Sequence, residues 1–375
     1  MLRRLPQLRV RVGIMQWQPA NRICSRGTMA GRKTAASKMA GRKAAREKVA
    51  REKAAWEKAA WEKAAAMDGE LEFLRQLQRD LPVMSPVTTG IGDDGAVLES
   101  AAGAEVVVTD LLLDGTHFVL KETSAELIGR KAMAVNLSDL AAMGAAPTAA
   151  FVSLALPRVL PPALNHECFL RQLYQGMREC AEQWGFTIAG GDTNVWDGQL
   201  AINVCLLGRP FTDRIPLRSH GRAGDRVLVT GQLGGSLASG RHLSFEPRLE
   251  FARWLLANYP VHALMDLSDG LATDLPRILE ASQCGGEVYC ASIPIHSDVP
   301  QQLSDDDRLR AALCDGEDFE LLLTVSEEAA TQLLRADVPC PVTEIGRLTG
   351  APGLRYLDAE GRPIAASVSG WEHRF

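Results

Sequence analysis

The sequence predicts an α/β protein with two domains that follow a long N-terminal extension. Short apolar runs typical of strands alternate with longer stretches of helical character, which is the pattern of an α/β fold. The segment Arg209–Asp225 is rich in Pro and Gly and is predicted to link the domains. A length of 375 residues, 46% of them apolar, fits two or three domains and supplies enough side chains for a core.

The helices follow from capping and helical patterns. Thr123–Glu126 forms a capping box, which begins a helix that we expect to end at Gly144. Residues 162–184 and 246–258 are also predicted to be helical. Pro276 lies within another helical pattern, so that helix either begins late or is kinked there. The predicted strands are Glu105–Asp110, Ala149–Leu156, Leu200–Gly208, Arg226–Thr230, Glu287–Ile293 and Phe319–Val325.

The N-terminal extension is a repeat. Residues 29–63 divide into seven pentads that place Lys at every fifth position, so the Lys row winds around a helix and forms no single face. Trp56 and Trp61 could contact a partner, but a solvated helical or disordered tail is the simpler interpretation. We predict that the globular fold begins at about Met67.

Charge is divided unequally between the two parts of the chain. Residues 1–66 contain 17 Lys and Arg against 4 Glu, whereas the remainder contains 24 basic and 42 acidic residues. The acidic body argues against a nucleic-acid-binding protein and suits one that gathers divalent cations. No apolar run is long enough to span a membrane, and no secretory signal is evident. The eight cysteines form no CxxC pair, which favours a reduced, cytoplasmic setting.

The most informative feature is a set of Asp residues beside glycine or at strand ends. Mg²⁺ prefers oxygen ligands, usually a few carboxylates together with substrate phosphates. Carboxylates brought together repel each other unless cations lie between them, so a convergent cluster would indicate bound metal. The six segments are Ile91–Gly95, Val108–Asp110, Asn136–Asp139, Gly190–Thr193, Asp266–Gly270 and Asp315–Asp318.

Each segment alone also has an ordinary structural interpretation. Asp-Gly pairs are common turns, Asp is a common helix cap, and Asp139 could lie on an exposed helix face. The apolar neighbours Leu137, Leu140 and Met143 speak against that exposed position. Asn136 lies three residues before Asp139 and is expected on the same helix face.

Other phosphate-binding classes lack their motifs in this sequence. There is no Walker A loop, no His-Arg-Asp or Asp-Phe-Gly set of protein kinases and no GxGxxG fingerprint. Leu112–Thr116 resembles the haloacid dehalogenase motif but has Leu where that motif needs Asp. Thr230–Ser236 follows a predicted strand, and it is either a phosphate-binding turn or a plain strand-to-helix turn.

Seven motifs occur in an order that resembles the thiamine-monophosphate kinases, a family of the aminoimidazole ribonucleotide synthetase-like superfamily. The resemblance covers about residues 69–375, including the terminal GWEHRF, and residues 1–66 have no counterpart. The motifs are IGDDGAV, VTDLLLDGTHF, NLSDLAAMGA, GGDT, PLRSHGRAGD, DLSDGL and GEDFEL.

The resemblance implies the superfamily's two-domain fold, an N-terminal mixed sheet with helices and a C-terminal α/β/α domain. We therefore expect an extension at 1–66, an ATP- and Mg-binding domain at 67–212 and, at 213–375, a domain that completes the active site. The superfamily forms dimers through N-terminal sheets, so a homodimer is expected. Neither nucleic acid nor a membrane is expected as a partner.

The implied activity is ATP-dependent phosphorylation of thiamine monophosphate to thiamine diphosphate, with several Mg²⁺ per active site. The expected ATP contacts are Gly191, Asp192, Arg218 and Ser268. The expected substrate contacts are His117, Glu317 and Trp371. Metal-bound Asp110, Asp139 and Asp192 would assist the transfer. The full set of implied metal ligands is Asp94, Val108, Thr109, Asp110, Asp139, Asp192, Asp266 and Asp269.

Two positions depart from the family pattern. Many members have Ser where this chain has Val108, which removes a hydroxyl ligand but leaves a backbone carbonyl. The family often has Gly where this chain has Asp315, which adds a carboxylate near the expected substrate.

The residues fit this chemistry independently of the resemblance. Phosphoryl transfer needs positioning and charge neutralisation, and the acceptor phosphate is already an oxyanion, so we expect direct in-line transfer without a phosphoenzyme. Arg218 could bind phosphate in a bidentate manner, and Trp371 could stack on a cationic ring.

Two alternatives remain: another ATP-dependent phosphotransferase of the superfamily, or a non-catalytic Mg- or nucleotide-binding module. Selenophosphate synthetases usually rely on an N-terminal Cys or selenocysteine beside Lys, and no such pair precedes Asp93 at the start of the fold. Hydrogenase-maturation relatives end in a functional Cys, whereas this chain ends in His-Arg-Phe.

Overall fold

The computed structural model describes residues 70–364 except 82, 102 and 162–164. All of these residues belong to the second of the two units into which the chain divides, residues 68–375. The predictions for the extension and for Trp371 lie outside the described residues. Two mixed sheets flanked by helices make the described part an α/β protein, as predicted. Within it, no helix combines the length and apolar character needed to cross a membrane.

The first sheet has six strands in the spatial order β1-β2-β3-β6-β4-β5. Strands β4 and β5 are parallel, and all other neighbouring pairs are antiparallel. Inward side chains of β3, β4 and β6 are buried against helices, while the opposite face carries exposed residues. The strands are β1 (Val87–Thr89), β2 (Ala96–Ser100), β3 (Gly103–Leu113), β4 (Ala145–Pro157), β5 (Thr187–Trp196) and β6 (Ala201–Pro210).

Helix α1 (Glu70–Asp80) precedes this sheet, and α2 (Ala125–Ala142) and α3 (His166–Trp184) pack with it. The side chain of Ser124 accepts a hydrogen bond from the backbone N–H of Leu127, so Ser124 is the N-cap of α2 and the predicted capping box, which begins at Thr123, is wrong by one residue. Almost every residue of α2 is buried, since the sheet, α3 and the second domain surround it. This places the polar residues of α2 inside the molecule.

The second sheet has seven strands in the order β13-β12-β9-β11-β7-β10-β8. Its strands are β7 (Arg226–Thr230), β8 (Val261–Asp266), β9 (Gly285–Tyr289), β10 (Leu321–Val325), β11 (Val342–Thr349), β12 (Leu354–Leu357) and β13 (Pro363–Ile364). The associated helices are α4 (Ser236–Ser239), α5 (Leu249–Asn258), α6 (Leu271–Ala281), α7 (Asp305–Cys314) and α8 (Glu327–Leu333).

Several predicted element boundaries differ from the structure. The strand expected at Glu287–Ile293 spans Gly285–Tyr289, because the chain turns into a 3₁₀ helix at Cys290. Helix α6 begins at Leu271, so Pro276 lies inside it and the alternative of a late start is wrong. The segment Arg209–Asp225, predicted as a linker, connects β6 of the first sheet to β7 of the second. The domain boundary at 212/213 stays a prediction.

Candidate active site

Three carboxylates from different elements meet between the two sheets. Asp94 precedes β2, Asp139 lies in the last turn of α2, and Asp266 ends β8. One oxygen from each carboxylate lies within 4.8 Å of the other two. Within the described residues, these three side chains form the group that could hold a metal ion. Ser138 Oγ donates a hydrogen bond of 2.6 Å to Asp266 Oδ2 and fixes one side of the cluster.

Burial and the neighbouring negative charges raise the pKa values of carboxyl groups in and beside this cluster. Burial, followed by the charges of Asp110 and Asp266, raises the pKa of Asp139 well above its usual range. Burial, followed by the charge of Asp94, does the same for Asp266. Burial also raises the pKa of Asp110 to about 6, although a hydrogen bond with Asp139 opposes the shift. Protons or cations are therefore needed to stabilise these four side chains together.

Two arginines offset the negative charge of carboxylates next to the cluster. Arg218 donates from Nη2 to Asp94 Oδ1 at 2.7 Å and from Nε to Asp94 Oδ2 at 3.0 Å. Its backbone N–H donates to Asp93 Oδ2 at 3.1 Å. Arg277 forms ion pairs with Asp269 and Asp274 on the other side of the site. Two of the expected metal ligands, Asp94 and Asp269, thus already have a cationic partner.

A cleft of about 460 Å³ opens beside the carboxylates. Expected ligands Asp110, Asp139, Asp266 and Asp269 line it together with Ser268 and the expected substrate contacts His117 and Glu317. From their motifs, these residues are expected to contact three different groups, which are the metal ions, the nucleotide and the acceptor. The structure brings all of them to one cavity.

Besides the paired Asp94 and Arg218, four other expected site residues of the described chain do not line the cleft. The Val108 side chain is 1% exposed in the core, so it presents no polar group. Thr109 is on the opposite sheet face, where its Oγ1 accepts a hydrogen bond from Asn203 Nδ2 at 3.0 Å. Gly191 and Asp192 lie on the edge strand β5. Three strand spacings separate β5 from β3, or roughly 14 Å.

Gly191 has a structural requirement of its own. Its φ is +147°, and a Cβ there would lie 1.7 Å from the backbone oxygen of Val152. Any side chain at this position would collide with the neighbouring strand. The glycine therefore keeps the backbone of β5 close to β4 at the expected nucleotide contact.

The glycine-rich turn after β7 binds carboxylates of the chain itself. The Gly234 N–H donates to both carboxylate oxygens of Asp318, at 2.9 and 3.0 Å, and the Gly235 N–H donates to Asp315 Oδ2 at 3.0 Å. These two amides bind anionic groups, as a phosphate-binding turn would, but the anions are side chains. Asp315, the departure from the family pattern, thus takes part in shaping the loop that carries Glu317.

Sequence reasoning missed Lys131 and Arg277. Lys131 lines the cleft, is fully buried, and contacts Glu317 and the backbone oxygen of His117. The signal available was its rarity, because it is one of only two lysines after residue 66. Arg277 offered no such signal, because charged residues are common on a helix such as α6.

Comparison with known proteins shows the family to which the chain belongs. Residues 92–209 match the family described as AIR synthase related protein, N-terminal domain, and residues 222–358 match its C-terminal domain. A thiamine-monophosphate kinase of Rhodopirellula baltica is 42% identical over 294 residues, covering 76% of this chain and 90% of the relative. The Bacillus subtilis thiamine-monophosphate kinase is 37% identical, covering 70% and 86%.

Solved structures agree with these relatives. The structure described as AaThiL complexed with AMPPCP and TMP is 27% identical, with a TM-score of 0.68, and covers 81% of this chain and 97% of that one. The thiamine-monophosphate kinase of Stenotrophomonas maltophilia is 30% identical, with a TM-score of 0.56, and covers 78% and 96%. A hydrogenase maturation protein HypE in complex with ATP, at 21% identity and a TM-score of 0.58, shares the fold.

Proposed function

Because the chain belongs to the thiamine-monophosphate kinase family, we propose that it transfers the γ-phosphate of ATP to thiamine monophosphate and forms thiamine diphosphate. An ATP-dependent kinase role is common to its curated relatives and agrees with the AMPPCP complex of the related structure. The observation that carries the finer proposal is the single cleft in which Asp110, Asp139 and Asp266 meet Glu317.

The carboxylate cluster fits Mg²⁺. Three oxygens of different Asp residues lie within 4.8 Å of one another, all are hard ligands, and burial with mutual repulsion raises the pKa of Asp139 and Asp266. Bound Mg²⁺ would neutralise charge on the phosphates of donor and acceptor, which otherwise repel each other. The proposed ligand residues are Asp94, Asp110, Asp139, Asp192, Asp266 and Asp269, with Thr109 and the backbone of Val108 beside Asp110.

The nucleotide is proposed to bind along the boundary between the two sheets. Arg218 has a fork of donors suited to a phosphate and lies within reach of the cluster through Asp94. Ser268 lines the cleft. On β5, Gly191 would contribute its backbone and Asp192 its carboxylate to the nucleotide site. Together they orient the terminal phosphate toward the acceptor, and positioning of this kind is the main requirement of phosphoryl transfer.

The organic part of thiamine monophosphate is proposed to bind at the Glu317 end of the cleft. Burial would raise the pKa of Glu317, but contacts from His242 and the Lys131 ammonium outweigh it and lower that pKa. An ionised carboxylate attracts the cationic thiazolium ring or the amino group of the pyrimidine. His117 borders the same space, and we propose Trp371 as a stacking surface.

The reaction needs no covalent intermediate. The acceptor phosphate is an oxyanion at neutral pH, so it can attack the γ-phosphorus of ATP directly while ADP leaves. The chain's residues then act by holding both phosphates in line and by excluding water. Trapping a phosphoprotein with labelled ATP would contradict this step.

We expect the active form to be a homodimer. Leu111, Leu113 and Phe151 are large apolar residues exposed on the outer face of the first sheet, and β5 forms its edge. Asp192 pairs in register with Ser153, and the row continues through Asn203 to Leu111. A second copy packed on this face would cover the apolar side chains and enclose Asp192.

A substrate comparison with the full-length protein tests the proposed function. Purified protein is given ATP and Mg²⁺ with thiamine monophosphate, thiamine or aminoimidazole ribonucleotide precursors, and ADP and phosphorylated product are quantified. We expect product from thiamine monophosphate alone, in equal amount to ADP. Product from another acceptor would favour a different phosphotransferase of the superfamily, and ATP binding without turnover would favour a binding module.

A further inference from the structure

Lys131 is a buried lysine that the proposed chemistry does not use. It lies in the middle of α2, its side chain is 0% exposed, and it borders the same cleft as Asp110 and Asp139. Burial lowers the pKa of Lys131, so keeping its charge requires partners that offset the loss of water. A lysine in such a place is rare unless it is paired.

Three polar atoms of the protein surround the Lys131 ammonium. Nζ donates to the backbone oxygen of His117 at 2.7 Å, lies 2.7 Å from His242 Nδ1, and donates to Glu317 Oε2. All three partners are groups of the protein itself, and His242 Nδ1 also lies 3.2 Å from Glu317 Oε2. This arrangement points to a role in holding other residues in place.

The loop that carries Glu317 needs to be held. Gly316, Glu317 and Phe319 have φ values of +68°, +58° and +52°, a conformation that side-chain-bearing residues rarely adopt. Such backbone persists only where surrounding contacts fix it, and it is typical of ligand-binding loops. The Lys131 contact fixes the Glu317 side chain, and hydrogen bonds from Glu317 N to Ser268 O and from Phe319 N to Leu267 O fix the backbone.

We infer that Lys131 is a positioning residue for the acceptor substrate, an inference that rests on the proposed function. It joins the two segments expected to contact thiamine monophosphate, the His117 loop and the Glu317 loop, and keeps the Glu317 carboxylate in the cleft. Within the described part of the chain, both polar contacts of the Glu317 side chain use Oε2. We assign Oε1 to the cationic heterocycle of the substrate.

The test compares Lys131→Met, Glu317→Gln and the double variant with wild type in the full-length protein. Lys121→Met is the matched control, because Lys121 is exposed and does not border the cleft. For Lys131→Met we expect the KM for thiamine monophosphate to rise about tenfold or more, since a charged hydrogen bond to Glu317 is lost. The KM for ATP should stay within about twofold of wild type, because the polar contacts of Lys131 Nζ are to protein groups at the expected acceptor residues His117 and Glu317 and at His242.

The double variant separates positioning from other roles. If Lys131 acts through Glu317, Lys131→Met should add little to the rise in KM caused by Glu317→Gln. Additive effects, a changed KM for ATP, or an unchanged KM for thiamine monophosphate would overturn the inference. If Lys131→Met alone does not fold, Glu317→Gln and the double variant still give this comparison, since the latter leaves no unpaired buried charge.

Failure of the proposed function is a separate outcome. A wild-type protein that makes no thiamine diphosphate would refute the proposed function and, with it, this role of Lys131. A wild-type protein that makes the product, together with a folded Lys131→Met variant of normal KM, would refute the role of Lys131 alone.

Discussion

The guanidinium of Arg218 forms a two-pronged ion pair with the carboxylate of Asp94, with N–O distances of 2.7 and 3.0 Å. Arg218 comes from the segment between β6 and β7 and Asp94 from the turn before β2, so the pair fixes that segment to the first sheet at the site. Their side chains are only 13% and 1% exposed. The pair thus places a buried positive charge beside the acidic cluster.

Removing Arg218 should destabilise the protein more in EDTA than in Mg²⁺. Arg218→Ala leaves Asp93 and Asp94 without their cation, which should cost about 3 kcal/mol of unfolding free energy. Mg²⁺ should restore part of this loss, because it supplies the missing positive charge. Urea denaturation in both buffers measures the effect. Arg158→Ala is the control, since Arg158 pairs with Asp197 on the surface and should change stability by less than about 1 kcal/mol.

The stabilising effect of Mg²⁺ should grow with pH. A carboxyl group with a raised folded-state pKa contributes stability below its unfolded pKa, and that contribution is lost as pH rises through the folded pKa. Burial raises the pKa of Asp110 to about 6 and, with the charge of Asp94, that of Asp93 to about 7. We therefore expect Mg²⁺ to raise the melting temperature more at about pH 8 than at about pH 5.5. Equal shifts at both pH values would argue against a carboxylate metal site.

Asp139→Asn should abolish turnover without unfolding the protein. The amide keeps the shape of the side chain but removes a negative charge from the cluster, so kcat should fall at least about 100-fold. In EDTA the variant should be as stable as wild type or more so, because repulsion from Asp110 and Asp266 is relieved. Asp197→Asn, whose side chain is 83% exposed, is the control and should retain activity. An active Asp139→Asn enzyme would show that the Asp139 carboxylate is not needed for the reaction.

Gly176→Ala should destabilise the contact between α2 and α3. A Cβ at Gly176 would lie 1.9 Å from the backbone oxygen of Glu126, so the helices must move apart. We expect a loss of about 1–3 kcal/mol in unfolding free energy. Gly350→Ala is the matched control, because the nearest atom to its Cβ would be 3.9 Å away. Equal stability of the two variants in chemical denaturation would show that the helices are not this closely packed.

Phe151→Glu should convert the proposed dimer into monomers. Phe151 is exposed on the outer face of the first sheet, where a charge would have to be buried between two copies. Light scattering after size exclusion should give a dimer mass for wild type and a monomer mass for the variant. A wild-type monomer mass that is independent of concentration would contradict the dimer.

The sequence was informative about residue types and local position, and less so about which residues meet. The apolar neighbours of Asp139 predicted that it lies inside the molecule, and the structure places it at the acidic cluster. Residues of one motif can separate, as Asp110 and Thr109 show by lying on opposite faces of β3. Alternation of side chains along a strand has this effect, and a list of motifs does not reveal it.

Contacts between residues far apart in the sequence were the main feature that the sequence did not predict. Lys131 and Glu317 are 186 residues apart, and Arg218 and Asp94 are 124 apart. No spacing rule relates such positions, because their approach depends on how the two sheets pack. The turn at Thr230–Ser236 illustrates the same limit, since its amides contact Asp315 and Asp318 from another part of the chain.

The most direct test of the central claim is the fate of labelled phosphate in the full-length protein. With γ-labelled ATP, Mg²⁺ and thiamine monophosphate, we predict that label appears in thiamine diphosphate in equal amount to ADP, that no labelled protein is trapped, and that EDTA or Asp139→Asn prevents transfer. Label released only as inorganic phosphate, or no transfer at all by the wild-type protein, would contradict the assignment of this cleft to phosphorylation of thiamine monophosphate.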